Sequence, residues 1–323
     1  MSRTKKVISI VSGAYNEEKN IREFYNRIRK VMEQHQDDYD YEIIIAENCS
    51  ADRTRDILRE LAAEDKRLRC IFNSRNFGVV RSTFNGILHA TGDALVTICS
   101  DLQEPPEVIS EMIKSWEAGF DVVCAVKKYD REKWLMRTVR KSFYRLLSGC
   151  TDDPLINDYS GFGLYDKKVM DALHKFDVAY PYFRGMVSEI GFKVARIPYV
   201  QEERRHGKSS YNVLSYYDYA MTGFVHHSRL PLRMAVFSGF FIAVLSIFVA
   251  IGYFIYKCCN WNSFQVGMAP LVIGLFFFSA IQLIFVGILG EYIGAIWLQV
   301  KKCPLVVEEE KINFPSDDNP EKE

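Results

Sequence analysis

Short β-branched runs alternate with amphipathic helical patterns along the first part of the chain. Five such runs predict strands, at residues 7–11, 41–46, 68–72, 94–98 and 120–126. Between them, apolar residues recur at the spacing of helices that bury one face. This alternation indicates βαβ units and a mainly parallel sheet covered on both faces, so the predicted fold class is α/β. Such sheets bind their ligands beyond the carboxyl ends of the strands, where we expect the functional residues.

Two long apolar stretches follow near the end of the chain. Residues 234–256 form a run of 23 without a charge, and residues 267–290 form a run of 24. A membrane-spanning helix needs about 20 apolar residues, so both runs are long enough. Buried core helices are the alternative, but soluble core helices rarely run this long without a charge. We therefore predict two transmembrane helices.

The charges that flank these stretches predict their orientation. Arg229 and Arg233 precede the first stretch, and Lys301 and Lys302 follow the second, whereas the connector 258–266 has no charge. Basic residues stay on the cytoplasmic side of a membrane. We therefore expect a multi-pass membrane protein with both chain ends in the cytoplasm.

The charge balance differs strongly between the parts of the chain. The 41 basic and 41 acidic residues cancel, yet residues 234–300 carry only two of these charges. Residues 1–233 have 36 basic and 33 acidic side chains, and residues 301–323 have four basic and seven acidic ones. This composition excludes a disordered chain and a wholly basic nucleic-acid binder, so no nucleic-acid partner is expected. The eight cysteines lack metal-ligand spacing, and the five in the soluble body, which the predicted topology places in the cytosol, are expected to be free thiols.

Polar residues are concentrated directly after three of the predicted strands. The segments 12–18, 47–52 and 100–106 read SGAYNEE, ENCSAD and SDLQEPP. Each alone is consistent with helix capping, which Ser, Asn and Asp supply routinely. Three at one edge of a sheet, together with a membrane anchor, favour a binding site. No Gly-x-Gly-x-x-Gly or P-loop pattern occurs, which argues against a dehydrogenase or a P-loop NTPase.

Longer motifs give residues 7–307 a resemblance to a known family. These motifs are ISIVSGAYNEEKNI, EIIIAENCSADRT, NSRNFGVVRSTFNGILHATGDALVTICSDLQEPPEVI, PYFRGMVSEIGFK, HGKSSYNVL and LGEYIGAIWLQVKKCP. In this order and at this spacing they resemble the family 2 glycosyltransferases, which have the GT-A fold. More narrowly, they resemble the polyprenyl-phosphate glycosyltransferases, a group that includes dolichol-phosphate mannose synthase.

The resemblance implies a nucleotide-sugar donor, a polyprenyl phosphate (undecaprenyl or dolichyl) as acceptor, and Mg²⁺ or Mn²⁺ as cofactor. The nucleotide-binding residues that it implies are Gly13, Tyr15, Glu17, Glu47 and Asp101. Glu47 would accept hydrogen bonds from the base or ribose. Asp101 fills the last position of the family's acidic metal motif, and Gln103 follows as a further metal ligand. The cation would neutralise charge that builds on the diphosphate leaving group.

The sequence departs from the family pattern after each of the three strands. Gly13 replaces a proline, Asn48 replaces an aspartate, and Cys99 replaces the first acid of the metal motif. The glycine is expected to matter only for conformation. Cysteine is a poor ligand for magnesium, so a metal would depend on Asp101, its neighbours and the donor's diphosphate.

A further departure concerns the catalytic base. Gly161 stands where related enzymes carry an aspartate, which leaves Asp158 and Glu189 as candidates beside Asp101 for a catalytic role. A loop position without chemistry is the alternative for Asp158. A phosphate acceptor needs little deprotonation, because its second pKa is about 6. The missing acid is therefore compatible with transfer to a lipid phosphate.

A basic segment lies shortly before the first apolar stretch. Arg204, Arg205 and Lys208 are predicted to contact the diphosphate or the lipid phosphate, and a solvated basic loop is the alternative. Aromatic residues of 211–227 then indicate an interfacial helix, and packing beneath the soluble body is the alternative for them. Arg229 and Arg233 are expected to anchor the topology first and to contact phosphate second.

These observations predict four regions and one principal function. Residues 1–200 form a cytosolic GT-A domain, 201–232 a basic loop and interfacial helix, 233–300 two transmembrane helices and 301–323 a cytosolic tail. The expected enzyme is an inverting glycosyltransferase that moves a sugar from a nucleotide donor to a polyprenyl phosphate at the cytoplasmic membrane face. Transfer to a hydroxyl of a lipid-linked glycan, and a non-catalytic scaffold that binds nucleotide sugar or lipid, remain alternatives. Membrane lipid is an expected partner, and a homo-oligomer stays open.

Overall fold

The computed structural model describes residues 5–128, 159–178, 181–203, 230–259, 268–301 and 303–315. Several predictions concern residues outside these ranges. They are the base candidate Asp158, the basic residues Arg204, Arg205, Lys208 and Arg229, and the interfacial helix. The side chain of Arg233 also lies outside the described part.

The described strands form one eight-stranded sheet in the order β7-β5-β6-β4-β1-β2-β3-β8. The strands are β1 Lys6–Ala14, β2 Tyr39–Glu47, β3 Leu68–Asn73, β4 Ala94–Thr97, β5 Val122–Lys127, β6 Tyr159–Asp166, β7 Val194–Tyr199 and β8 Glu308–Ile312. β1 pairs in parallel with β2 and β4, β2 with β3, and β5 with β7. β6 runs antiparallel between β4 and β5, and β8 runs antiparallel to β3. The mainly parallel α/β sheet and all five predicted strands are confirmed.

Helices cover both faces of the sheet. They are α1 Ile21–Glu33, α2 Thr54–Glu64, α3 Val79–Leu88, α4 Ile109–Glu117, α5 Lys167–Leu173, α6 Phe183–Ile190, α7 Leu230–Cys259 and α8 Met268–Val300. Successive strand residues point to opposite faces. In β2, Ile43 and Ile45 accordingly join α1, α2 and α4 in one buried cluster, while Ile44 joins α3, α5 and α6 in the other. Burial on both faces explains why β2 is a continuous apolar run rather than an alternating one.

The C-terminal helices α7 and α8 are long and expose apolar side chains. Phe237 of α7 is 73% exposed and Leu283 of α8 is 72% exposed. Among the described residues, one helix is long and apolar enough to cross a membrane, with its apolar window at Phe277–Gly294 and none of that window buried. The apolar part of α7, Ala235–Ser246, is shorter than a crossing. The described structure thus supports one candidate span where the sequence predicts two, and the first span stays a prediction.

The segment after α8 returns to the sheet. β8 pairs with β3, with Glu308 opposite Asn73 and Ile312 opposite Cys70. Upstream of β8, the backbone N–H of Ser74 donates to the carbonyl of Val307 at 3.0 Å. The chain that leaves the body before α7 therefore ends as an edge strand of the same sheet, which the sequence analysis did not anticipate.

Candidate active site

The carboxyl ends of β1, β2 and β4 meet at one edge of the sheet. Ala14 lies opposite Glu47, and Val11 lies opposite Thr97, in the parallel registers of β1 with β2 and with β4. The three polar segments predicted from the sequence are thereby neighbours. Ser100 joins two of them, because its hydroxyl donates to the carbonyl of Gly13 at 2.8 Å.

The loops after β1 and β2 are joined by reciprocal hydrogen bonds. The amide of Asn16 donates to the hydroxyl of Ser50, and the side-chain oxygen of Asn16 accepts from the amide of Ala51, both at 2.9 Å. The amide of Glu17 donates to the hydroxyl of Thr54 at 2.9 Å. Asn16 and Cys49 have φ values of 55° and 61°, which turn the two loops sharply beside each other. This edge therefore has a fixed backbone shape.

Glu47 is fully buried at the end of β2. One carboxylate oxygen accepts from the amide of Ser50 at 2.6 Å, and the other from the amide of Cys49 at 3.2 Å. The Nε of Arg55 donates to that second oxygen at 2.6 Å. These contacts stabilise a carboxylate that would be costly to bury unpaired. In the described structure Glu47 fixes the turn at 48–50, and its predicted contact with the nucleotide stays a prediction.

Three asparagines connect β2 to the turn after β3. The side-chain oxygen of Asn48 accepts from the amide of Phe77 at 2.9 Å, and its side-chain nitrogen donates to Asn76 at 2.8 Å. Asn73 donates to the hydroxyl of Ser82 at 2.9 Å. This network and Arg55 escaped the sequence analysis. The SRNFG run after β3 was the available signal, because Asn and Gly favour tight turns.

Asp101 and Gln103 occupy a strained turn after β4. Leu102, between them, has a φ of 60° and is buried. The amide of Gln103 donates to a carboxylate oxygen of Asp101 at 3.2 Å, and Asp101 is partly exposed at the edge. The buried side chain of Leu102 anchors this turn in the core, which leaves its two polar neighbours at the surface of the site.

Glu104 is buried below this turn. Its carboxylate accepts from the amide of Cys99 at 2.9 Å and from the hydroxyl of Ser160 at 2.7 Å. Burial raises the pKa of Glu104, while these hydrogen bonds oppose the rise. Glu104 therefore ties β4 to β6 rather than facing the solvent. The negative charge of Glu104 raises the pKa of the Cys99 thiol well above its usual value.

The donor set fits a metal only in part. Within the described residues there is no group of three or more His, Cys, Asp or Glu side chains that could hold an ion. Asp101 offers carboxylate oxygen and Gln103 offers amide oxygen, which suit Mg²⁺ or Mn²⁺. Such an ion would need most of its ligands from a bound diphosphate.

The remaining predicted residues differ in exposure. Tyr15 is 38% exposed, and Glu17 is 8% exposed. The Glu17 carboxylate accepts from the side chain of Asn20. Gly13 has no special backbone angle; a Cβ there would lie 2.5 Å from the Oγ1 of Thr83. The glycine at this position therefore provides space for α3, which corrects the expectation that it matters only for conformation.

The two positions considered for a base lie on different elements. Gly161 lies in β6 with a φ of 111°, and its carbonyl accepts from the hydroxyl of Thr97. Glu189 is exposed on α6, whose Met186 and Val187 are buried in the core. The backbone of Gly161 is thus next to β4, while Glu189 faces solvent.

The residues that precede the basic segment are held beside the Asp101 turn. The amide of Glu202 donates to the carbonyl of Gln103 at 3.0 Å. The guanidinium of Arg27 lies 2.7 Å from the Glu202 carboxylate and 2.6 Å from that of Glu107. The chain that continues into the predicted phosphate-contacting residues therefore departs from the edge that carries Asp101.

This edge, with its acidic turn after β4, agrees with the result of a family comparison. Residues 9–173 match the model of glycosyl transferase family 2. The chain belongs to this family. The assignment confirms the family predicted from the sequence motifs and identifies the protein as a glycosyltransferase.

Relatives in this family match more than nine-tenths of the chain. The chain is 37% identical to the uncharacterized glycosyltransferase YkcC of Bacillus subtilis, over 93% of this chain and 92% of that protein. It is 32% identical to the SfII prophage-derived bactoprenol glucosyl transferase of Shigella flexneri, over 92% of this chain and 96% of that protein. The family resemblance thus includes the C-terminal helices.

A solved structure shows a weaker likeness. S. aureus TarS 1-349 in complex with UDP-GlcNAc shares 16% identity at a TM-score of 0.44, over 66% of this chain and 64% of that chain.

Proposed function

We propose that this glycosyltransferase transfers a sugar, with inversion, from a nucleotide-sugar donor to a polyprenyl phosphate at the cytoplasmic membrane face. Relatives named bactoprenol glucosyl transferases, which match the chain over 92% of its length at 32% identity, support this acceptor. The observation that carries the proposal is the position of β8. This strand is the next one after the candidate membrane helix, and it starts opposite Asn73, at the edge where the site lies.

The geometry brings a lipid acceptor close to the site edge. Residues 301–307 connect the end of α8 to β8, and a chain of this length spans at most about 25 Å. The guanidinium of Arg81 donates to the carbonyl of Pro304 in this connection at 2.6 Å. The end of α8 is therefore held near the edge that would receive the water-soluble donor.

The sheet also supports two crossings. β1 and β8 belong to the same sheet, so the chain between them must start and finish on one side of the membrane. A single crossing by α8 would separate β8 from its partner β3. If α8 crosses, α7 must cross as well, so that β1 and β8 lie on the same side of the membrane, which we propose is the cytoplasm. Phe285 of α8 packs near Gly239 of α7, which suits a helix pair.

The predicted site residues have different roles at the proposed site. Gly13, Tyr15 and Glu17 line the side of the edge proposed for the nucleotide, and Glu47 fixes the turn beside it. Asp101 and Gln103 would hold Mg²⁺ or Mn²⁺ against the diphosphate. When bound, that ion supplies neutralisation of the charge on the departing diphosphate.

The proposed reaction is a direct displacement. An oxygen of the lipid phosphate attacks the anomeric carbon, a new carbon–oxygen bond forms, and the bond from that carbon to the nucleoside diphosphate breaks. The electron pair of the broken bond leaves with the nucleoside diphosphate. Because the attack comes from the face opposite this leaving group, the configuration inverts. A lipid phosphate is already largely ionised near neutral pH, which is why Gly161 in place of an acid is tolerated.

The basic residues Arg204, Arg205, Lys208, Arg229 and Arg233 remain proposed contacts for the diphosphate or the lipid phosphate. Their charge would stabilise the phosphates that meet in the reaction. Asp158 or Glu189 would serve as a base only if the acceptor were a hydroxyl. Loss of transfer in Asp158→Asn or Glu189→Gln, with donor binding intact, would favour that second acceptor class.

The test is a transfer assay with the purified full-length protein in detergent. Radiolabelled nucleotide sugars are screened with undecaprenyl and dolichyl phosphate, with Mg²⁺, Mn²⁺ or a chelator, and label is measured in the organic phase. We expect one donor to give lipid-soluble label that is released by mild acid. Donor binding without transfer to any lipid phosphate would overturn the proposal and favour a non-catalytic scaffold.

A further inference from the structure

The C-terminal strand carries acidic residues that dock on basic residues of α2. The Glu309 carboxylate lies 3.0 Å from an Nη atom of Arg55, and the Glu310 carboxylate lies 2.7 Å from an Nη atom of Arg59. Charges of the tail thus pair with charges of the body in the folded protein. The ion pair of Glu309 also involves the candidate site, because its partner Arg55 contacts that site as well.

Arg55 joins three strands through one guanidinium. Its Nε donates to Glu47 at the end of β2, one Nη donates to Glu309 of β8, and the other Nη donates to the carbonyl of Asn73 in β3. The planar fork of arginine allows all three contacts at once with fixed directions. A change at Glu309 can therefore alter the orientation of the group that pairs with Glu47.

We propose that Glu309 is a positioning residue of the donor site. Through Arg55 it holds the Glu47 carboxylate, and through Glu47 it holds the turn at 48–50 in the shape that receives the nucleoside diphosphate of the donor. The inference rests on the proposed function, because it takes this turn to be part of the nucleotide site.

The direction of the effect follows from burial. Glu47 is fully buried, so the position of its carboxylate depends on its partners rather than on solvent. The side chain of Glu309 is 56% exposed, and an exposed ion pair contributes little to global stability. The main consequence of Glu309 is therefore the orientation of Arg55, which affects binding more than folding.

The tail position links this effect to the membrane. β8 follows α8 by residues 301–307, and Arg81 and Ser74 hold that connection through the carbonyls of Pro304 and Val307. The nucleotide side of the site is complete only when the strand after the candidate membrane helix is docked on β3.

The test compares Glu309→Ala with Glu310→Ala in the full-length protein. Both changes remove one exposed carboxylate from β8, but only Glu309 contacts Arg55. We expect Glu309→Ala to raise the donor KM and the Kd for the free nucleoside diphosphate by about 5-fold, with kcat and the acceptor KM unchanged. Glu309→Gln keeps an acceptor oxygen and should recover most of the affinity. Glu310→Ala should match the wild type.

A second readout does not depend on turnover. The thiol of Cys49 lies in the turn that Glu47 fixes, and its rate of alkylation reports the order of that turn. We expect faster alkylation of Cys49 in Glu309→Ala, relative to the exposed Cys258 in the same protein, and no change in Glu310→Ala.

Two results would overturn the inference. One is an unchanged nucleotide Kd and an unchanged Cys49 rate in Glu309→Ala. The other is an equal effect of Glu310→Ala, which would show that docking of the strand matters rather than the contact with Arg55. Failure of the wild type to transfer sugar to any lipid phosphate would count against the proposed function instead, while the Kd and the alkylation rates would still decide the role of Glu309.

Discussion

The Nε atom of Arg55 lies 2.6 Å from the carboxylate of Glu47, whose side chain is fully buried at the carboxyl end of β2. Two backbone amides of the following turn donate to the same carboxylate. A buried acid thus acts as the internal support of a loop at the site edge. Stability and donor binding should therefore both depend on it.

The change Glu47→Gln should lower stability and donor affinity together. An amide nitrogen would face the donors Arg55 and Cys49, which leaves buried groups unpaired and costs about 2–3 kcal/mol. Denaturant unfolding and nucleotide binding by calorimetry measure the two effects. Glu42→Gln is the matched control, because Glu42 is also buried in β2 and paired with Arg69, away from the site edge. It should lose stability and keep donor affinity; equal loss of affinity in both variants would contradict the prediction.

The change Gly13→Ala should destabilise the protein by about 1–3 kcal/mol through overpacking. The new Cβ would lie 2.5 Å from the Oγ1 of Thr83 on α3. Adding Thr83→Ala removes that atom and should recover most of the loss, whereas Thr83→Val keeps an atom in its place and should not. Thermal unfolding of the single and double variants gives the coupling. Recovery by both double variants would show that the contact with Thr83 is not the cause.

Periodicity alone predicts β1 to β5, five of the six strands with parallel partners, because each is largely buried and apolar; the sixth, β7, was not predicted. It fails for β6, whose YSGFGLYD sequence contains two glycines, and for β8, whose EEEKI sequence is almost wholly charged. β8 is held by pairing with β3 and by ion pairs with α2, which join residues far apart in sequence. Such tertiary contacts leave no local pattern.

At the candidate site, too, the sequence predicts some features and misses others. The sequence places Glu47 and Asp101 at strand ends, and the structure puts both at one edge. It does not reveal that Glu47 is enclosed by Arg55, because that pairing depends on the packing of α2 against the strands. The sequence also does not reveal that position 13 has no room for a side chain, because Thr83 approaches it from a helix 70 residues later.

The change Asp101→Asn should lower sugar transfer by about 100-fold, with a smaller effect on stability. Asp101 is partly exposed at the edge and is the one carboxylate that the turn presents to a cation. The side-chain amide of the new asparagine would accept the hydrogen bond from Gln103 more weakly and would carry no negative charge. The assay is transfer as a function of Mg²⁺ and Mn²⁺ concentration, with Glu107→Gln as a nearby surface control. Full activity of Asp101→Asn in a chelator would exclude its metal role.

The contribution of Asp65 to stability should depend on pH. Burial alone would raise the pKa of Asp65, but hydrogen bonds from Arg67 and Tyr25 outweigh it and lower the pKa. A lowered folded-state pKa means that this stability is present above the unfolded value of about 3.9 and is lost as pH falls through the folded value. Asp65→Asn should therefore destabilise at pH 7, with a difference from wild type that narrows below about pH 4. A difference that widens on acidification would mean that folding raises the pKa of Asp65 instead of lowering it. Asp56→Asn, exposed on α2, is the surface control.

The pairing of β8 with β3 predicts the membrane topology. Because β8 and β1 share one sheet, a crossing by α8 requires a second crossing by α7. Cys258 and Cys259 end α7 beside the predicted outer connector, whereas Cys303 follows α8 next to the sheet, and all three are exposed in the structure. Labelling of intact cells with a membrane-impermeant maleimide should modify Cys258 and Cys259. Cys303 should react only after permeabilisation.

Serine variants make this assignment specific. Cys258→Ser with Cys259→Ser should abolish the external label, and Cys303→Ser should leave it unchanged. Labelling of Cys303 in intact cells would place β8, and the sheet to which it pairs, outside, and would contradict the proposed cytoplasmic position of the site. Protection of all three cysteines until permeabilisation would mean that α7 and α8 lie along the membrane surface. Lipid would then have to cover the apolar window Phe277–Gly294 from one side only. The apolar residues of α8 surround the helix instead of forming one face, which argues against that arrangement.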